Sequence, residues 1–83
     1  MPDTLISPLV ADRVRAVLAR VLDVLPEQLT DDATIYDDLN ADSLDGVEIM
    51  MGLEEAFGIE LDTPGMIGAR TVGQLVALVE ART

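Results

Sequence analysis

The 83-residue chain contains no cysteine, no histidine and no tryptophan, and its five basic residues are all arginine. Without cysteine it can form no disulfide, no thiolate metal site and no thiol nucleophile of its own. Without histidine it lacks the usual general base at neutral pH and the commonest metal ligand. The composition therefore argues against a self-contained hydrolase.

Signals for secretion or membrane insertion are also lacking. The segment from Met1 to Pro8 has neither the basic start nor the apolar stretch of a signal peptide, and no apolar run approaches the ~18 residues of a membrane span. The chain is 49% hydrophobic but has one Phe and one Tyr, which predicts a single domain over residues 1–83 with an aliphatic core. We expect it to be cytoplasmic.

The formal charge of −11 is unevenly distributed. Between Val21 and Ala69 there are thirteen Asp or Glu residues and no Arg or Lys. Such a segment repels nucleic acid and anionic membrane and attracts proteins with basic patches. The alternative is an acidic surface that only keeps the protein in solution.

Apolar periodicity predicts an all-α fold, a small bundle of three main helices plus one short helix, with a long loop between the first and second helices. Cap signals give a first helix that starts at Ser7 and Pro8 and ends before Pro26. The second helix runs from Ser43 to Phe57, with Gly58 as its stop. A brief third helix starts at Thr63 and Pro64, and the last begins with a capping box of Thr71 and Gln74. The inward stripe of the first helix includes Leu25. The loop over residues 26–42 is expected to be anchored by Leu29, Ile35, Tyr36 and Leu39.

The second helix has two apolar stripes. One covers an arc of about 120° on the helical wheel and is expected to face the core: Gly46, Ile49, Met50, Leu53, Ala56 and Phe57. The opposite side carries Leu44, Val47 and Met51, flanked by Glu48, Glu54 and Glu55. Since so small a bundle cannot cover both faces, the second stripe predicts an exposed apolar ridge in an acidic frame that binds a basic partner, with no basic residue nearby. Scattered surface hydrophobes are the alternative.

Ser43, at the start of the second helix, has several interpretations. Either Ser43 or Asp42 is an N-cap that accepts a backbone hydrogen bond. A calcium loop is a second interpretation, because Asp38, Asn40 and Asp42 occupy its first, third and fifth places. That pattern fails at the sixth place, where Ser43 replaces glycine, and at the twelfth, where Ile49 replaces glutamate.

The stretch Asp-Leu-Asn-Ala-Asp-Ser-Leu-Asp at residues 38–45 resembles the acyl carrier proteins of bacterial fatty acid and polyketide synthesis. The similarity continues through Val47-Glu48, Leu53 to Ile59 and Thr71-Val72-Gly73. The resemblance implies a carrier and not an enzyme, in which a phosphopantetheinyl transferase attaches 4′-phosphopantetheine from coenzyme A to Ser43. The arm would then carry acyl groups as thioesters, chemistry that a chain without cysteine performs only with a borrowed thiol.

The resemblance also implies partners and binding residues. The partners would be acyl transferases, ketosynthases and other acyl-processing enzymes with basic patches. The narrow ridge and its like charges separately predict a monomer, and no metal site is expected. The docking residues would be Asp42, Leu44, Asp45, Val47, Glu48, Met51, Glu54 and Glu55. An acyl pocket inside the bundle would involve Met50, Leu53, Leu61 and Ile67.

Some residues depart from the family's pattern. Asn40 stands where glycine is usual, although asparagine tolerates positive φ, and Gly46 loosens the first turn of the second helix. Met66 and Ile67 replace acidic residues, so the pathway stays open between fatty acid and polyketide or other secondary metabolism. A peptidyl or aminoacyl carrier and a non-carrier acidic interaction module are the alternatives.

Overall fold

The computed structural model describes the backbone of residues 2–83 and the side chains of residues 9–83. It contains helices α1 (Pro2–Leu22), α2 (Ser43–Phe57), α3 (Thr63–Gly68) and α4 (Val72–Arg82), with one 3-10 turn at Pro26–Gln28. Over residues 2–83 there is no strand, only an isolated bridge between Thr34 and Thr71. The predicted all-α bundle of three main helices and one short helix is confirmed.

The first helix begins and ends earlier than its cap signals predict. It begins at Pro2, so the predicted start at Ser7 and Pro8 is wrong. A proline within a helix lacks an N–H, and its ring clashes with the carbonyl four residues earlier. That cost falls on the one turn before the proline, so Pro8 does not have to be the start of the helix. At the other end Asp23 adopts a φ of 55°, the left-handed conformation that commonly ends helices. Leu25 therefore lies outside α1 and is exposed, against the prediction.

The ends of α2 and α4 follow the sequence signals. Gly58 has a φ of 64° and its N–H donates to the Glu54 carbonyl, as expected for a glycine that ends a helix. Thr71 Oγ1 accepts from the Gln74 N–H, and Gln74 Oε1 accepts from the Thr71 N–H, both at 3.1 Å. The predicted capping box of the last helix is confirmed.

The hydrophobic core is aliphatic and is shared by α1, α2, α4 and the long loop. Its most deeply buried side chains are Leu18, Ile49, Leu53, Leu75, Val14, Val72 and Val79. None of the residues of α3 is fully buried, and Met66 is only partly buried against this core. The three long helices thus form the stable scaffold, and α3 covers one side of it.

The loop between α1 and α2 is fastened to the start of α4. The Ile35 N–H donates to the Arg70 carbonyl at 2.9 Å, and the Val72 N–H donates to the Ala33 carbonyl at 3.0 Å. Its apolar anchors Leu29, Ile35 and Leu39 are buried, as predicted. Tyr36 is not an anchor, because 52% of it is exposed.

Reciprocal hydrogen bonds fix the turn that carries Tyr36. The Thr34 N–H donates to Asp38 Oδ2 at 2.8 Å, and the Asp38 N–H donates to Thr34 Oγ1 at 3.0 Å. The backbone N–H of Thr34, followed by its side chain, lowers the pKa of Asp38 below the ordinary value of 3.8. The carboxylate therefore favours the folded turn only while it is ionised.

Replacing Asp38 by asparagine is expected to reduce stability in a pH-dependent way. Because the folded pKa lies below 3.8, the wild-type advantage is fully present above that pH and is lost as the pH falls through the folded value. The check is the thermal midpoint of both proteins between neutral and strongly acidic pH. Asp37→Asn, which removes the neighbouring charge, is the control, and an Asp38→Asn deficit that persists unchanged in strong acid would contradict the assignment.

Candidate functional site

Ser43 is the first residue of α2 and is exposed. The N-cap is Asp42, whose Oδ1 accepts from the Asp45 N–H at 2.8 Å. Asp45 Oδ2 in turn accepts from the Asp42 N–H at 3.1 Å, which completes a capping box. Of the two N-cap candidates the structure thus assigns Asp42, so the Ser43 hydroxyl is not needed to hold the helix.

The approach to Ser43 is a tight turn. Asn40 has a φ of 59°, the left-handed conformation that asparagine was expected to tolerate there. On either side of it Leu39 and Ala41 are buried, and the Ala41 N–H donates to the Ile35 carbonyl at 3.1 Å. The loop therefore presents Ser43 from a fixed backbone.

The apolar ridge of α2 faces solvent. Leu44 is 66% exposed, Val47 49% and Met51 60%. Of the acidic residues around it, Asp42, Glu48 and Glu55 are exposed, whereas Asp45 and Glu54 are half-buried. The face of α2 that the sequence singles out is thus an apolar strip with carboxylates beside it.

Two of these carboxylates also hold the structure. Asp45 belongs to the capping box, and Glu54 Oε2 accepts from the Leu61 N–H at 2.9 Å, which ties the segment after α2 back to the helix. Neither contact was predicted from the sequence. The contact between Glu54 and Leu61 does not follow from helical spacing, because Leu61 lies seven positions further along the chain, beyond the end of α2.

A cation lies beside the ridge, contrary to the expectation that no basic residue is near. Arg20 of α1 lines a groove together with Glu48, Met51 and Glu55. Gly52 lets α1 approach α2 closely, since a Cβ at position 52 would lie 3.0 Å from Val17 Cγ1 and 3.3 Å from Arg20 Nη2. The sequence charge map missed Arg20 because helix packing, and not chain position, brings it there.

A cavity of about 140 Å³ opens beside Ser43, between α2 and α3. Its lining comprises Tyr36, Ser43, Gly46, Val47, Met50, Thr63, Met66 and Ile67. Two of the predicted pocket residues, Met50 and Ile67, are in this lining. Leu53 and Leu61 are not, because both are buried in the core. The lining residues from α2 are Ser43 and the residues three, four and seven positions after it, which share one side of the helix.

The described residues also bear on the calcium-loop interpretation and on a membrane span. Asp38 is bonded to Thr34, and no group of three potential metal-ligating residues is found within the described part of the chain. Within residues 2–83 no helix is both long enough and apolar enough to cross a membrane.

Comparison with known proteins identifies the class. The family described as a phosphopantetheine attachment site matches residues 12–79. The acyl carrier protein of Phenylobacterium zucineum is 42% identical over 73 residues, covering 88% of this chain and 92% of the relative. That of Caulobacter vibrioides is 40% identical over 74 residues, covering 89% and 95%.

A solved structure agrees with these sequences. The acyl carrier protein from Enterococcus faecalis, described for its high thermal stability, matches with a TM-score of 0.78 at 31% identity, covering 93% of this chain and 98% of that one. Four helices around a phosphopantetheine-type site define a carrier and not an enzyme. The chain belongs to the acyl carrier protein family, whose members bear a covalently attached phosphopantetheine group.

Membership also defines the general partners. Acyl carrier proteins interact with a phosphopantetheinyl transferase and with acyl-processing enzymes. The residues present suit the prosthetic group, because an exposed hydroxyl begins a helix and a largely apolar cavity lies beside it. A phosphodiester at that position also meets the positive end of the α2 dipole.

Proposed function

We propose that the Ser43 hydroxyl carries the phosphopantetheine arm and that the chain, as a single domain, delivers acyl thioesters to separate synthase enzymes. The observation that supports this is that two different residues serve at the start of α2: Asp42 caps the helix, and the neighbouring Ser43 is exposed. A serine used as the cap would lose a structural hydrogen bond on esterification. At Ser43 the modification leaves the capping box intact.

The bound arm supplies the thiol that the polypeptide lacks. The chain's own residues orient and position it: the buried neighbours of Asn40 fix the turn, and the capping box fixes the first turn of α2. The apolar lining contributed by Val47, Met50 and Ile67 offers a surface on which part of the acyl group is shielded from water.

The test of attachment is the intact mass of the protein after incubation with coenzyme A, magnesium and a broad-specificity phosphopantetheinyl transferase. We expect one phosphopantetheine adduct per chain, mapped by fragmentation to Ser43. A wild-type protein that stays unmodified beside a control carrier that is modified would overturn the proposal.

The docking surface we propose is the exposed strip Leu44, Val47 and Met51 with the carboxylates along it. Apolar contact area at the centre and charge at the rim is the usual division in protein interfaces. The acidic rim fits basic patches on the synthases and the transferase. Asp45 and Glu54 contribute charge while also holding the backbone, so substituting them mixes two effects.

Glu48→Lys is expected to lower kcat/KM for the transferase about three- to tenfold at low ionic strength, because a rim charge acts mainly on the association rate. The loss should shrink at high salt, where charges are screened. Glu80→Lys on α4 makes the same change in net charge away from the ridge and is the matched control. Equal losses in both variants would refute a localised docking face.

The proposal extends to a monomer, since a narrow ridge flanked mainly by carboxylates opposes self-association, and to a cytoplasmic location. The pathway it serves is one of fatty acid, polyketide or other secondary-metabolite synthesis. Similarity to proteins named acyl carrier protein supports an acyl cargo over an aminoacyl or peptidyl one, and family membership argues against a non-carrier interaction module. Loading assays with acyl and aminoacyl donors separate the first two.

A further inference from the structure

The cavity beside Ser43 has an unusual wall. Tyr36, which comes from the loop and not from the helices, lies against Gly46 of α2. A Cβ at position 46 would be 2.5 Å from the Tyr36 hydroxyl oxygen, a separation that only a shift of the ring would relieve. Glycine within a helix costs up to about 1 kcal/mol against alanine, and at position 46 its absent side chain provides room for the tyrosine.

The backbone that carries Tyr36 is held in place by its neighbours. Its neighbour Ile35 is buried and hydrogen-bonded to the Arg70 carbonyl, and the reciprocal Thr34–Asp38 bonds close the turn around it. Half of the ring remains exposed even so. A large aromatic residue is thus held at the mouth of the cavity with its hydroxyl on the same side of α2 as Ser43.

The size and chemistry of the cavity limit its occupant. An apolar protein cavity of about 150 Å³ holds one benzene ring, so the 140 Å³ beside Ser43 has room for about six heavy atoms. Val47, Met50 and Ile67 supply apolar surface. The hydroxyls of Tyr36 and Thr63 add donors at its edge.

We propose that Tyr36, accommodated by Gly46, is a specificity-determining residue that makes this cavity select short acyl groups bearing a carbonyl or hydroxyl oxygen over saturated chains. When the arm folds back so that its acyl group reaches the cavity, a 3-oxo carbonyl accepts a hydrogen bond from the Tyr36 hydroxyl, whereas a saturated chain offers this donor no acceptor. The part of a long chain that exceeds the cavity extends into solvent and gains no further contact with the lining. The inference rests on the proposed attachment at Ser43 and concerns only what the arm carries.

The experiment loads the protein with three hydrolysis-resistant pantetheine analogues: a six-carbon 3-oxoacyl chain, a six-carbon saturated chain and a sixteen-carbon saturated chain. Intact mass first establishes loading. NMR shifts of the Met50 and Met66 methyl groups then report occupancy of the cavity. The methyl group of Met51, on the exposed ridge, is the internal control.

In the wild type we expect the 3-oxoacyl chain to occupy the cavity about three- to tenfold more than the saturated six-carbon chain, as one solvent-accessible hydrogen bond provides. The sixteen-carbon chain should shift the two methyl groups no further than the six-carbon one. Tyr36→Phe keeps the ring and removes the hydroxyl, so the preference should fall to about one while saturated-chain occupancy is unchanged. A purely structural role for Tyr36 would not alter that ratio.

Gly46→Ala tests the packing side of the inference. Alanine favours the helix, so the fold persists, but its Cβ displaces the tyrosine and should abolish the preference for the 3-oxoacyl chain. Gly68→Ala is the matched control, because a Cβ there meets no atom within 4 Å. Loading with an unchanged preference in both Tyr36→Phe and Gly46→Ala overturns this inference alone, whereas failure of the wild type to load overturns the attachment as well.

Discussion

Substituting alanine for Ser43 is expected to abolish loading completely and to change the free energy of unfolding by no more than about 0.5 kcal/mol, the usual range for an exposed position without a special contact. The separation follows from the geometry of the helix start. Asp42 accepts the capping bond from the Asp45 N–H, and Ser43 is exposed. Intact mass after transferase treatment and urea unfolding of the unmodified proteins measure the two effects.

Asp42→Ala is the matched comparison, since it removes the cap and keeps the hydroxyl. Loss of an aspartate N-cap costs about 1 kcal/mol, so this variant should unfold at lower urea and still accept an adduct. The assignment of roles would be wrong if Ser43→Ala were the less stable of the pair, or if it still gained the arm at another residue.

The second large effect is expected in the core. Leu53→Ala should lower the free energy of unfolding by about 2–5 kcal/mol, through lost burial and the cavity left behind. The side chain is fully enclosed in the hydrophobic core, at 0% exposure. For a chain of this size total stability is about 4–12 kcal/mol, so the variant loses a large share of it.

Met51→Ala on the same helix separates burial from helix propensity. Met51 lies on the exposed ridge, and its truncation should change stability by no more than about 0.5 kcal/mol. Urea unfolding followed by circular dichroism gives both values. If the two variants were equally stable, α2 would not present one face to the core and the other to solvent.

The architecture of α2 could be predicted from sequence because its signals are local. Glycine at position 58, the apolar stripe through Ile49 and Leu53, and the opposite stripe through Val47 all depend on spacing along one helix. In the structure Ile49 and Leu53 of the first stripe are buried and its other members are half-buried, whereas the second stripe is exposed. The left-handed conformation of Asn40 followed from the same kind of local preference.

What the sequence did not reveal depends on segments that meet only in the folded chain. Arg20 reaches the acidic side of α2 because Gly52 lets α1 approach. Tyr36 was expected to anchor the loop, yet it lies at the cavity mouth because the loop is already held by its buried neighbours. Leu53 was included in the acyl pocket that the resemblance implies, but its side chain is fully buried in the core.

The weak attachment of α3 has an evolutionary consequence. This short helix supplies one wall of the cavity, yet none of its residues is fully buried in the core. Mutations at Met66 or Ile67 can therefore reshape the cavity while the three long helices keep most of their packing. One wall of the cavity can thus vary independently of the main core, so the cavity can change shape while the carrier keeps its stability.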